Sequence, residues 1–339
     1  MSADGGVRIA VIGAGSWGTA LAHALARGGK DVRLWARDPA LVARIDSDRV
    51  NPAYLPGVAL SPSIRVTRDM AEALDGAGVA ILAVPTHGMA ATAAMCAGAL
   101  ASSCAVVSAA KGLDAATGRT MTEVLVDTLG GEVADRVAAL TGPNIAMEIA
   151  RGLLAATVVG CADASVRAHV RDALVTSRLR VYGNADVLGV QIGGALKNVV
   201  AIAAGICDGL GAGDNGKAAI MTRGIAEMTR VGIAVGASPL TFAGLSGVGD
   251  CAVTCMSPLS RNRRLGEAIG RGASLEEARA GMFQVAEGVN ASRATRELGR
   301  RLGVETPIAD AVSAVLFDGV PVIDAIAELM HRDARDELG

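Results

Sequence analysis

Lys197 is the only charge in Gly189-Val-Gln-Ile-Gly-Gly-Ala-Leu-Lys-Asn-Val-Val-Ala-Ile-Ala-Ala-Gly205, a stretch too apolar for a surface helix. In a helix its neighbours at one-turn spacing are Gly193, Gly194, Val200 and Ala201, with Ala204 and Gly205 following on the same side. Glycine inside a helix costs up to ~1 kcal/mol against alanine. Several on one face therefore mark a place where something approaches the backbone beside an ammonium group, which can give up and take back a proton. The same spacing also serves close helix packing, with the lysine reaching solvent along its stem. Lys111, in Ser108-Ala-Ala-Lys111-Gly-Leu, falls just past an expected strand, where open α/β sheets bind ligands; the plainer reading is a solvated loop lysine. Ser257-Pro-Leu-Ser260-Arg261-Asn262-Arg263-Arg264 gathers hydroxyl, amide and guanidinium donors at an expected helix start. That set suits a phosphate, and equally a solvated basic face. Leu245-Ser-Gly-Val-Gly-Asp250 brings one carboxylate on a glycine-rich loop.

A second kind of chemistry stands at the start of the chain. Val7-Arg-Ile-Ala-Val-Ile-Gly13-Ala-Gly15-Ser16-Trp17-Gly18 reads as strand, tight turn and helix, with the G-x-G-x-x-G spacing in its required setting. Gly13 makes the turn, Gly15 lets the backbone approach a pyrophosphate, and Gly18 lets helix and strand pack closely. The phosphates then meet the free N–H groups and positive end of the helix dipole. The next strand ends Leu34-Trp35-Ala36-Arg37-Asp38. An acid at that end reads a ribose 2′-hydroxyl, whereas arginine pairs with a 2′-phosphate. With Arg37 there and Asp38 next, NADP(H) is favoured and NAD(H) stays open.

These residues need elements to hold them. The N-terminal half alternates short β-branched runs with alanine-rich helical stretches, the pattern of a parallel sheet covered by helices on both faces. Eight strands are expected, at Val7–Ile12, Asp31–Trp35, Ile64–Val66, Val79–Val84, Ala105–Ser108, Val137–Leu140, Ala156–Val159 and Leu179–Val181. After about Asn184 only helical patterns remain. The fold class is therefore α/β, with an N-terminal Rossmann-type dinucleotide-binding domain over residues 1–186 and a C-terminal all-α substrate-binding domain over 187–339. Hydrophobic residues make up 51% of the 339, and mean hydropathy is +0.40. No apolar run reaches transmembrane length and no signal peptide is legible, so a cytoplasmic protein without a membrane span is expected. The six cysteines show no metal-ligand spacing, so buried free thiols and no metal are expected. A net charge of −2 and 2% aromatic residues argue against nucleic acid as a partner.

Taken together the motifs resemble the bacterial NAD(P)-dependent glycerol-3-phosphate dehydrogenases over nearly the whole chain. The matching stretches are Gly13–Gly18 with Trp35-Ala-Arg-Asp, Lys111-Gly-Leu, Thr141-Gly-Pro-Asn-Ile-Ala, Gly193-Gly-Ala-Leu-Lys-Asn, Thr222-Arg-Gly, Gly247-Val-Gly-Asp, and Ser260-Arg-Asn-Arg-Arg with Gln284-Val-Ala-Glu-Gly. The resemblance implies that Lys197 transfers the proton, within a catalytic set that includes Lys111 and Asp250. It implies contacts to substrate from Lys111, Gly142, Asn144, Lys197, Asp250, Ser260, Arg261 and Asn262. On the cofactor side it implies Gly13, Gly15, Ser16, Trp17, Gly18, Arg37, Lys111, Ala146, Arg261, Val285 and Glu287, with Asn198 and Thr254 ordering the site. Asn144 departs from the Thr or Ser expected there, although an amide also donates and accepts. The implied reaction is reduction of dihydroxyacetone phosphate to sn-glycerol 3-phosphate by NADP(H) or NAD(H), reversibly, in a homodimer. The alternatives are a related dehydrogenase acting on a 3-hydroxyacid or sugar acid, and a catalytically silent dinucleotide sensor.

Overall fold

The computed structural model describes residues 6–114, 116–280, 282 and 286–331. Among these residues ten strands form, in chain order β1 (Arg8–Ile12), β2 (Val32–Trp35), β3 (Val50–Asn51), β4 (Leu55–Ala59), β5 (Arg65–Thr67), β6 (Ala77–Leu82), β7 (Ala105–Ser108), β8 (Val137–Thr141), β9 (Ala155–Gly160) and β10 (Leu179–Asn184). Eight make one sheet in the order β10-β9-β8-β7-β6-β1-β2-β5, and β3 pairs with β4 in a separate hairpin. All eight expected strands are present. The all-parallel expectation needs one correction: β8 and β9 pair antiparallel, with Ala139 opposite Gly160 and Thr141 opposite Val158. Since β10 is parallel to β9, the last two strands run against the rest. A β-branched run carries no sign of its direction, so the reversal leaves no trace in composition.

Alternation along the strands builds a core on each face. Ile9 and Val11 of β1 pack with Leu21, Leu25 and Leu34 on one side. Ala10 and Ile12 pack with Leu74, Leu82, Met89 and Leu125 on the other.

By compactness the chain forms two units: the first runs to Gly194 and takes in Ala237–Asp250, and the second comprises Ala195–Gly236 and Cys251 onward. Among its described residues the second unit is entirely helical. Its core joins Val199, Ile202 and Ile206 to Leu265, Val289, Ile308 and Val312. The Val187–Leu210 helix is long and apolar enough to cross a membrane, but 89% of its most apolar window is buried inside the protein. A helix apolar on every side is what burial on every side requires. All six cysteines are buried and free.

Candidate active site

In the sheet unit the glycine turn links β1 to the Ser16–Arg27 helix. Gly13 has φ +117°, and a side chain there would press on the Ala83 carbonyl oxygen at 2.7 Å. A Cβ at Gly18 would overlap the Gly13 carbonyl. Gly13 is closed to side chains by its φ and by the neighbouring Ala83, and Gly18 by the turn itself. Gly15 differs: its backbone is extended, with φ −70° and ψ −177°, and an added Cβ meets no atom within 4 Å. The helix that follows has no side-chain cap. An open glycine beside an uncapped helix start fits a pyrophosphate, because the space and the N–H groups are both kept from the protein's own side chains.

The β3–β4 hairpin holds this turn from behind. Asn51, fully buried, donates from Nδ2 to the Ala14 carbonyl at 2.9 Å and to Thr19 Oγ1 at 2.8 Å. The Ser16 hydroxyl donates to the Tyr54 carbonyl. Trp17 and Ala146 pack on the same core, and the buried Trp17 Nε1 has no partner among the described residues. Arg37 is exposed just beyond β2. Asp38 accepts from Ala40 N at 2.9 Å and caps the Pro39–Asp48 helix. Neither Asn51 nor Tyr54 was legible as functional, since their partners lie 32 to 38 residues away.

Lys111 is no solvated loop lysine. Its Nζ donates to the Gly142 carbonyl at 2.7 Å and to Asp250 Oδ2 at 2.7 Å, and Asp250 is 1% exposed. The carbonyl is aimed by a tight turn in which Gly142 has φ +119°. Thr157, at the same end of the sheet, donates to the Thr141 carbonyl at 2.5 Å and accepts from Asn144 Nδ2 at 3.0 Å. Thr141 Oγ1 and Asn144 Oδ1 are buried without a partner among the described residues. Buried polar atoms are rarely left so, and two at the edge of a Lys–Asp pair suit a polar ligand. Sequence reading had no means to find Thr157, a strand threonine of ordinary type.

The helical unit holds the rest. Lys197 is 5% exposed and donates to Thr254 Oγ1 at 2.6 Å, so it does not reach out to solvent. The glycines of its helix are filled by the protein itself. In the sheet unit, a Cβ at Gly193 would meet the Ser246 carbonyl oxygen at 2.6 Å. Within the helical unit, one at Gly205 would overlap the Arg263 carbonyl, and one at Gly209 the Glu267 carbonyl. Close packing thus accounts for these glycines, while the burial of Lys197 is not the packing reading's expectation.

Ser260 accepts from Arg263 N at 3.3 Å and caps the Arg261–Gly270 helix. Asn262 donates to Asn198 Oδ1 at 2.8 Å and accepts from Gly288 N at 3.0 Å, tying three segments together. Arg261 keeps exposed surface. Surrounding protein still crowds it enough to hold its guanidinium below the usual arginine range, against the opposing pull of the Glu287 carboxylate. Val285, expected near the nucleotide, lies outside the described residues.

A glycine turn on a mainly parallel sheet, with a helical unit carrying a buried lysine, defines the dinucleotide-dependent dehydrogenases as a class. The particular family follows from comparison. Models of the NAD-dependent glycerol-3-phosphate dehydrogenase N-terminus and C-terminus match residues 8–167 and 186–327. A glycerol-3-phosphate dehydrogenase [NAD(P)+] of Moorella thermoacetica is 47% identical over 330 residues, 97% of each chain. One from Salinibacter ruber is 48% identical over 330 residues, covering 97% of this chain and 96% of that one. The crystal structure of glycerol-3-phosphate dehydrogenase from Coxiella burnetii superposes with a TM-score of 0.90 at 33% identity, covering 96% of this chain and 99% of the other. The chain belongs to the NAD-dependent glycerol-3-phosphate dehydrogenase family.

Proposed function

We propose that the chain interconverts dihydroxyacetone phosphate and sn-glycerol 3-phosphate with NAD(P)H, making the glycerol phosphate backbone of phospholipids. The observation that carries the reading is Lys197, an ammonium group 5% exposed on a helix otherwise free of charge between Gly189 and Gly205. A buried ammonium is costly to hold in an apolar helix, and such groups cluster at functional sites. The nicotinamide ring, when bound, supplies the hydride that the substrate's C2 carbonyl carbon accepts. Lys197 Nζ holds the proton for the oxygen that becomes negative, and Thr254 fixes the ammonium through its hydroxyl. Lys111 adds positive charge and is aimed by Asp250 and the Gly142 carbonyl. Asn144, with its free Oδ1, suits the substrate's hydroxyl. Ser260, Arg261 and Asn262 suit the phosphate, because a helix start and a guanidinium recognise it together.

On the nucleotide side Gly13, Gly15, Ser16, Trp17 and Gly18 take the pyrophosphate turn. Arg37 reads the ribose, and Ala146, Val285, Glu287 and Arg261 complete the contacts. In this reading residues 1–186 are the dinucleotide domain and 187–339 the substrate domain. The protein works in the cytoplasm as a homodimer, the commonest symmetric assembly, which its mass by light scattering would check.

The test is the absorbance of reduced nicotinamide with purified protein and dihydroxyacetone phosphate, set beside 3-keto acids and sugar acids as competing substrates. Oxidation that requires the triose phosphate is expected. Lys197→Ala should lower turnover by about 10³-fold while coenzyme still binds. Near-normal turnover in that variant would remove Lys197 from the chemistry, and oxidation with keto acids alone would replace the substrate.

A further inference from the structure

We infer that Arg68 is a second guanidinium for the coenzyme's 2′-phosphate, paired with Arg37, and that this chain therefore selects NADPH over NADH. The inference rests on the reading that seats the adenosine ribose at the carboxyl end of β2.

The register of two adjacent strands carries the argument. β2 and β5 run parallel, with Trp35 opposite Thr67, and the Ala36 N–H donates to the Thr67 carbonyl at 3.0 Å. Arg37 and Arg68 thus leave neighbouring strands at the same end of the sheet, two residues and one residue beyond that last pair. The Arg68 backbone is pinned, since the buried Trp35 indole donates from Nε1 to the Arg68 carbonyl at 2.9 Å. Both arginines are exposed, and neither guanidinium has a hydrogen bond or ion pair with the described residues.

The nearby carboxylates are occupied elsewhere. Asp38, the acid in position to take a ribose 2′-hydroxyl, caps its own helix through Ala40 N at 2.9 Å. Asp69 caps the Met70–Leu74 helix, accepting from Ala71 N at 2.8 Å and Glu72 N at 3.1 Å. The Glu72 carboxylate takes the Thr67 hydroxyl. Two exposed guanidinium groups at one strand end, with Asp38 and Asp69 each committed to a helix cap, favour a doubly charged phosphate over a bare hydroxyl.

The experiment is titration of the full-length protein with NADPH and with NADH, followed by reduced-nicotinamide fluorescence, for the wild type, Arg37→Ala, Arg68→Ala, the double variant and Arg68→Lys. The wild type should bind NADPH more tightly. Arg68→Ala should weaken NADPH about tenfold and leave NADH within about twofold. The double variant should lose more than either single one, and Arg68→Lys should recover part of the loss. Added salt should reduce the NADPH preference. Equal loss for both coenzymes, no loss for either, or a wild type without preference would overturn the assignment. Gly15→Ala reports on the underlying reading in the same titration. If it leaves both affinities unchanged, the dinucleotide lies elsewhere and the inference falls with it; if it weakens both while Arg68→Ala changes neither, only the role of Arg68 is lost.

Discussion

The sheet unit and the helical unit use the same residue types for opposite ends. Gly15 in the sheet unit has nothing within 4 Å of an added Cβ, whereas Gly205 in the helical unit is met by the Arg263 backbone. One glycine leaves open space above a turn, and the other removes space so that two helices touch. Buried ionisable groups, too, are set by what stands opposite them. Lys111 in the sheet unit is matched by Asp250. In the helical unit the buried carboxylate of Glu227 is given to structure: Oε2 and Oε1 accept from Ile308 N at 2.8 Å and Ala309 N at 3.0 Å, capping the Pro307–Phe317 helix. Residue type alone does not separate the two uses; what stands opposite each residue does.

The largest effect that would sharpen this contrast is in pH. Burial pushes the Glu227 carboxyl up to about 7, against the two N–H groups that favour its charged form. A folded-state value above the unfolded one means that the helical unit's stability is full below about 4.5 and is lost as pH rises toward 7. At about 1.4 kcal/mol per tenfold change in proton affinity the span is on the order of 3 kcal/mol. His23 in the sheet unit goes the other way. Burial, then Arg27, lowers its imidazole, and its Nδ1 accepts from Ser61 N at 2.9 Å. Its contribution is present above 6.5 and is lost as pH falls. Urea unfolding at pH 5 and pH 8 should therefore show Glu227→Gln flattening one slope and His23→Gln the other. Identical slopes in both variants and the wild type would break the contrast.

Next in size is Gly205→Ala. The new methyl overlaps a backbone carbonyl that cannot swing aside, so about 1–3 kcal/mol of stability should be lost, read as a fall in Tm. An unchanged Tm would mean that the two helices separate freely and that close contact is not why the glycine is there.

How far the sequence reaches follows the same division. The glycine turn at Gly13, Gly15 and Gly18 was legible because its pattern lies within one strand, turn and helix. Lys197 was legible because a charge inside an apolar helix is conspicuous whatever surrounds it. The Lys111–Asp250 pair spans 139 residues, and no local pattern announces such a pairing. The glycines near Lys197 looked like ligand space, because the carbonyls that fill them come from segments such as Ser246 and Arg263. The β3–β4 hairpin was missed because β3 has two residues and β4 contains Pro56 and Gly57, which read as loop. Its Asn51 is the cost of that miss. Asn51→Ala strips the Ala14 carbonyl and Thr19 hydroxyl of a buried partner, and should lower stability by about 1–2 kcal/mol while weakening both coenzymes, as one titration and one melting curve would show.

The smallest effect on stability is the most telling for the comparison. Gly15 already has a φ and ψ that alanine adopts, and the added methyl meets open space. What alanine loses against glycine at a helix start is offset by the reduced freedom of the unfolded chain, each being worth under about 1 kcal/mol. Gly15→Ala should therefore melt with the wild type. Its coenzyme affinity should nonetheless fall about tenfold, since one methyl in a close-packed contact costs on the order of 1–3 kcal/mol. Gly205→Ala is the mirror image, with a lowered Tm and coenzyme affinity retained at a temperature where the variant is folded. If both variants moved the same observable, glycine would serve one purpose in both units, and the open space above Gly15 would be an accident of the turn rather than the seat of a pyrophosphate.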